Sequence, residues 1–108
     1  MTAPAYEVLA LRYATSGSRR RRAENFLSAP DPHDAPMPLD YFVWAIRDSD
    51  RVIVVDTGFD EDAAHRRGRN LLRKPAEALK EAGIDPLNVN DVILTHLHYD
   101  HAGCLGSF

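Results

Sequence analysis

Four side chains able to bind a metal ion fall within six residues of this 108-residue sequence: His96, His98, Asp100 and His101. Imidazole together with carboxylate suits zinc first, with iron, manganese or cobalt as alternatives. Histidines at i and i+2 point the same way on an extended chain, so His96 and His98 are expected to converge on one ion. Asp100 and His101, after a turn, are expected to aim at a second ion close by. A lone histidine here would be read as an ordinary loop residue. Three histidines and an aspartate directly after an apolar strand are read as a ligand loop.

The elements that must position these residues can be traced from the hydrophobic pattern. Residues 6–13 alternate as a strand, and residues 15–18 break it around Gly17. Four prolines, Pro30, Pro32, Pro36 and Pro38, make residues 28–38 a surface loop. Residues 41–46 are apolar at every position, the pattern of a strand buried on both faces. Asp48-Ser49-Asp50 forms a tight turn, and residues 51–55 return as the second strand of a hairpin. That strand runs into Asp56-Thr57-Gly58, a place where a sheet delivers a polar side chain to a site. The alternative for Asp56 is a turn residue with no wider role. Residues 61–72 suggest a loose helix interrupted by Gly68, and residues 75–82 a clearer one, with Pro75 in its first turn and Gly83 at its end. Residues 92–94 form a short strand ending at Thr95. Strand, hairpin, helix and strand, followed by clustered ligands, imply an α/β (α+β) architecture with the site beyond strand C-termini.

Composition narrows the function classes. The length suits one small domain, and 44% hydrophobic with 27% charged residues is ordinary for a globular protein. A formal net charge of -3 favours neither nucleic acid nor an anionic membrane as partner. No apolar run reaches the roughly 20 residues of a membrane helix. The N-terminus lacks a signal peptide's apolar block, and the single cysteine excludes an intrachain disulfide, so a cytoplasmic setting is expected. Arg19-Arg20-Arg21-Arg22 is read as a solvated basic loop, with help in binding an anionic group or a partner subunit as the alternative. It lacks the apolar stretch of a twin-arginine signal. Cys104 is expected to be a small buried residue in a helix after the loop, and Tyr99 to pack beneath the loop. His33 and His65 are not expected to be ligands.

The pattern His96-x-His98-x-Asp100-His101 after a strand resembles that of the metallo-β-lactamase superfamily, and Val55-Asp56-Thr57-Gly58 stands where that family carries an Asp-Thr-Gly-like turn. The resemblance implies the N-terminal half of a four-layer αβ/βα sandwich, with a mixed sheet, a hairpin and a flanking helix. It gives Asp56 the task of orienting the ligand loop from behind, as metal-bound histidines generally require. Residues 96–103 with Ser107-Phe108, the arginine-rich segment, Asn25-Phe26-Leu27 and residues 38–44 are most similar to the N-acyl homoserine lactonases, the quorum-quenching enzymes. That likeness implies a small-molecule lactone substrate and two divalent ions, His96 and His98 holding one, Asp100 and His101 the other. A hydroxide bridging the ions would attack the lactone carbonyl, with Asp100 also accepting a hydrogen bond from it. A pyridoxolactonase type, a thioesterase resembling glyoxalase II and a phosphodiesterase or nuclease share the loop and remain alternatives.

The sequence departs from the family in its extent. Members are about twice as long and add a histidine, an aspartate and another histidine from downstream. Residues 1–108 are therefore expected to be a single partial domain, with the apolar faces of its central strands partly uncovered. An inactive half-domain, or one that associates with another copy, is the non-enzymatic alternative.

Overall fold

The computed structural model describes residues 5–17, 20–25 and 35–108. The expectations for His33, Arg19, Phe26-Leu27 and most of the proline-rich loop lie outside the described residues.

A five-stranded mixed sheet organises the chain: β1 (Glu7–Thr15), β2 (Asp40–Arg47), β3 (Val52–Val55), β4 (Asn70–Leu71) and β5 (Asp91–Ile93). Their spatial order is β4-β1-β2-β3-β5. The β1/β2, β1/β4 and β2/β3 pairs are antiparallel, and β3/β5 is parallel. Asp48 closes the β2/β3 hairpin by accepting, through Oδ1, the amides of Asp50 and Arg51, both at 2.8 Å. The parallel pair matters most for the site. It brings the C-terminal ends of β3 and β5 side by side, so Asp56 and Thr95 leave the sheet as neighbours.

Two helices, α1 (Glu61–Arg67) and α2 (Pro75–Glu81), cover one face. Asp60 caps α1, its carboxylate accepting the Ala63 amide at 2.9 Å. The helix ends at Arg67 because Gly68 takes the left-handed conformation, φ 64°. The loose helix expected over residues 61–72 is thus shorter, and residues 70–71 pair with β1 as a strand. Under the helices lie Tyr13, Val43, Phe59, Ala63, Ala64 and Ala78, and beside them Ala45, Val54, Leu79 and Ile84.

Strand β2 is buried on one face only, contrary to the reading of its sequence. Val43 and Ala45 face the helices and are 1% and 0% exposed, whereas Phe42 and Trp44 are 38% and 42% exposed. Period-two alternation puts successive side chains on opposite faces, and both helices pack against one of them. The far face also leaves Val8 and Ile93 open to solvent. The expected partly uncovered apolar face is therefore present.

Candidate metal centre

Three features of local folding bring the loop together. Chain exit from β3 is turned by Asp56, which has φ +65°, a left-handed conformation that aspartate tolerates better than most residues. The turn buries its carboxylate at 5% exposure, facing the end of β5. Thr57 then grips the loop: its amide and hydroxyl both donate to the His101 carbonyl, at 2.6 and 2.9 Å, and its hydroxyl accepts the Cys104 amide at 3.1 Å. Gly103 makes the approach possible, since a Cβ there would sit 2.4 Å from the Tyr99 carbonyl oxygen and 2.8 Å from that of Gly58.

Asp100 and His101 lie in the first turn of a short helix, α3 (Tyr99–Ala102), with His98 at its N-cap. Tyr99 packs against Phe59, ring centroids 5.4 Å apart, as expected of a residue beneath the loop. Tyr13 reaches up from β1 and donates its hydroxyl to the Asp100 carbonyl at 3.3 Å. Cys104 is half-buried in a turn beyond α3 and not in a helix. Burial and the nearby Asp60 carboxylate push its thiol up to about 11, so it is protonated at neutral pH.

Asp56 organises the loop from behind. It accepts the Thr95 amide at 2.8 Å, the Thr95 hydroxyl at 2.9–3.0 Å, and His101 Nδ1 at 2.7 Å. Burial alone would raise its carboxyl. The hydrogen bonds from the Thr95 amide, His101 and the Thr95 hydroxyl outweigh that and hold it below the usual carboxylate range. An ionised carboxylate only accepts, so the His101 proton must sit on Nδ1, leaving the Nε2 lone pair free to ligate.

That Nε2 lies 3.3 Å from Asp100 Oδ2. Two ligands on one tetrahedral zinc, each about 2.0–2.1 Å from it, are separated by about 3.3 Å. The donor set therefore fits one divalent ion. Donor atoms of His96, Asp100 and His101 all lie within 4.8 Å of one another. His98 stands outside that group, its ring 4.7 Å from that of His96. The expectation paired His96 with His98 and Asp100 with His101. The His96 ring also lies beside that of His101, centroids 3.8 Å apart and planes tilted by 45°. His65 is exposed on α1. Thr95 and Thr57 were not singled out from sequence, although both flank the residues that were; a threonine at a strand end carries no ligand signal of its own.

A mixed sheet whose parallel strand pair ends in clustered imidazoles and carboxylates defines an α+β metal-site fold, and solved structures share it. A crystal structure of a quorum-quenching N-acyl homoserine lactone lactonase superposes with TM-score 0.65 at 23% identity, over 100% of this chain and 43% of that one. An N-acyl homoserine lactone hydrolase, solved with the product N-hexanoyl-L-homoserine at its catalytic metal centre, gives 0.61 at 24% identity, over 100% and 46%. The metallo-beta-lactamase superfamily model matches residues 36–108, and the chain belongs to that superfamily. Among curated proteins it is 31% identical over 78 residues to N-acyl homoserine lactonase AiiB of Agrobacterium fabrum, covering 60% of this chain and 28% of that protein. It is also 34% identical over 86 residues to an N-acyl homoserine lactonase of a Bacillus species, covering 65% and 34%. The chain thus spans about a third of the length of these relatives.

Proposed function

We propose that these residues supply part of the metal centre of a metal-dependent hydrolase that opens lactone rings, with N-acyl homoserine lactones as the leading substrates. The observation that carries the reading is the pairing of His101 Nδ1 with Asp56 beside the His96, Asp100 and His101 donors. The choice of lactones rests on the named activity of the similar lactonases.

In this reading His96, Asp100 and His101 would hold one divalent ion, zinc first, and His98, outside that group, would serve a second. Bound ions would supply hydroxide near neutral pH and polarise the substrate carbonyl. Asp56 keeps the His101 proton on Nδ1, and Thr95 holds Asp56 in place. Asp100 turns Oδ2 toward His101, and its other oxygen would accept a hydrogen bond from the attacking water. Four donors shared by two ions leave each short of the four that a closed zinc site uses. The active enzyme is accordingly a longer polypeptide that adds ligands and covers the far face of the sheet. A reducing, cytoplasmic setting belongs to the same reading, on the lone half-buried thiol of Cys104. Among the described residues no helix is long and apolar enough to cross a membrane.

The test is hydrolysis by the zinc-loaded protein of an N-acyl homoserine lactone, an S-acyl glutathione thioester and a phosphodiester. Preferred lactone turnover supports the proposal. Thioester turnover without lactone turnover would replace it with the thioesterase alternative, and no turnover by the 108-residue chain would place activity in the longer polypeptide.

A further inference from the structure

Eight of the described arginines fall into two settings. Arg12, Arg47, Arg51, Arg66 and Arg73 each lie within ion-pair distance of a carboxylate: Asp40, Glu7, Asp91, Asp62 and Glu81 respectively. Arg20, Arg67 and Arg69 have no such carboxylate among the described residues, and these three line one cavity of about 470 Å³. The cavity opens beside the ligand loop, with His98 and Asp100 in its wall, and Asp100 is its one acidic lining residue among those described.

The three guanidinium groups are placed by the fold. Gly68, left-handed at φ 64°, ends α1 between Arg67 and Arg69 and turns both toward Tyr99. Arg67 stacks on the Tyr99 ring, its guanidinium carbon 3.8 Å from the centroid. Arg69 is half-buried, its Nε donating to the Tyr99 hydroxyl at 3.4 Å. Arg20 is anchored by its own backbone, whose carbonyl accepts the Met37 amide at 2.7 Å, and by hydrogen bonds from its side chain to the Asn25 amide oxygen and the Glu24 carbonyl. Neutral acceptors orient these groups without neutralising them. Planar guanidinium forks held in this way match a carboxylate geometrically.

We propose that this cavity recognises a carboxylate where the substrate carries one, so that a lactone with an anionic substituent binds more tightly than its neutral counterpart. The inference rests on the lactonase reading for the word lactone and on the arginines alone for the charge. Tyr41 and Tyr99 supply aromatic wall against which the body of such a substrate lies.

The probes are γ-butyrolactone bearing a carboxylate at its γ carbon, and the methyl ester of the same compound. Each is titrated into the full chain while the ring resonances of Tyr41 and Tyr99 are followed by NMR. The carboxylate is expected to bind about tenfold more tightly per guanidinium engaged, the size of one charge-assisted hydrogen bond. That preference should shrink as salt rises. R67Q/R69Q removes it; R67K/R69K, which keeps charge, retains part of it and guards against a folding defect. Equal affinity for the two probes, no binding of either, or a preference that survives R67Q/R69Q overturns the proposal. Charge-selective binding with thioester turnover but no lactone turnover keeps the anion site and removes the lactonase reading. Lactone hydrolysis with no preference for charge does the reverse.

Discussion

Asp56→Asn separates the structural task of Asp56 from its chemical one. Asparagine tolerates the left-handed backbone at this position and keeps one carbonyl oxygen for Thr95, so the turn survives. Its amide nitrogen is a donor, and facing His101 Nδ1 it forces the imidazole proton onto Nε2. The lone pair that lies 3.3 Å from Asp100 Oδ2 is then lost to the ion. Loss of such a supporting group lowers metal affinity by about 10–100-fold. The stability cost is small, about 1–2 kcal/mol, because one of three donor groups loses its acceptor. Asp56→Ala is worse on both counts: three donors lose their acceptor and alanine is strained at positive φ, for a total of about 3–4 kcal/mol.

The assay pairs a zinc titration against a chromophoric chelator with nitrogen-15 NMR of the imidazole rings. In the wild-type protein His101 should show the Nδ1-protonated tautomer, and in D56N the other one. If D56N binds zinc as tightly as wild type, or if its His101 keeps the proton on Nδ1, the reasoning about the loop's support is wrong.

The same geometry sets further expectations. Gly103→Ala would press a methyl against two backbone carbonyls that cannot rotate away, and thermal denaturation should show destabilisation of at least about 2 kcal/mol. His98→Ala should weaken the tightest zinc binding less than His96→Ala, Asp100→Ala or His101→Ala, because His98 stands apart from the other three donors; calorimetric zinc titration of the four variants checks the order. Burial raises the Cys104 thiol to about 11. At pH 8 its alkylation by iodoacetamide should be about a hundredfold slower than that of an ordinary cysteine, with the rate rising as pH approaches that value. The same shift stabilises the fold fully below the thiol's ordinary pKa, and the contribution is lost as pH climbs through the folded one.

Much of this architecture could be read from local pattern. The hairpin announced itself in Asp48-Ser49-Asp50, the second helix in Pro75 and Gly83, and the loop in the spacing of its histidines. Each depends on residues close in sequence. The departures arise where distant packing decides. Residues 41–46 carry no polar position to mark a solvent face, so only the placement of α1 and α2 on one side reveals that Phe42 and Trp44 lie on the other. Gly68 stops α1 at Arg67, yet an interior glycine in a helical pattern is ambiguous until its φ is known. The grouping of His96 with Asp100 and His101 depends on α3 beginning at Tyr99, a turn too short to leave a periodic signal. Asp56 was legible as a candidate from its place after an apolar strand. Its grip on His101 spans 45 residues and comes from the parallel β3/β5 pair. The Arg20, Arg67 and Arg69 cavity was hidden for the same reason, Arg20 lying more than 40 residues from the Arg67-Gly68-Arg69 run.

The central claim, that His96, Asp100 and His101 form a divalent-metal site with His101 bound through Nε2, is tested most directly by zinc K-edge X-ray absorption on the zinc-loaded protein. The account predicts nitrogen and oxygen donors at about 2.0–2.1 Å with outer-shell imidazole scattering that diminishes in His101→Ala. Zinc held through sulfur at about 2.3 Å, which Cys104 alone could supply, or zinc with no imidazole scattering, would contradict it.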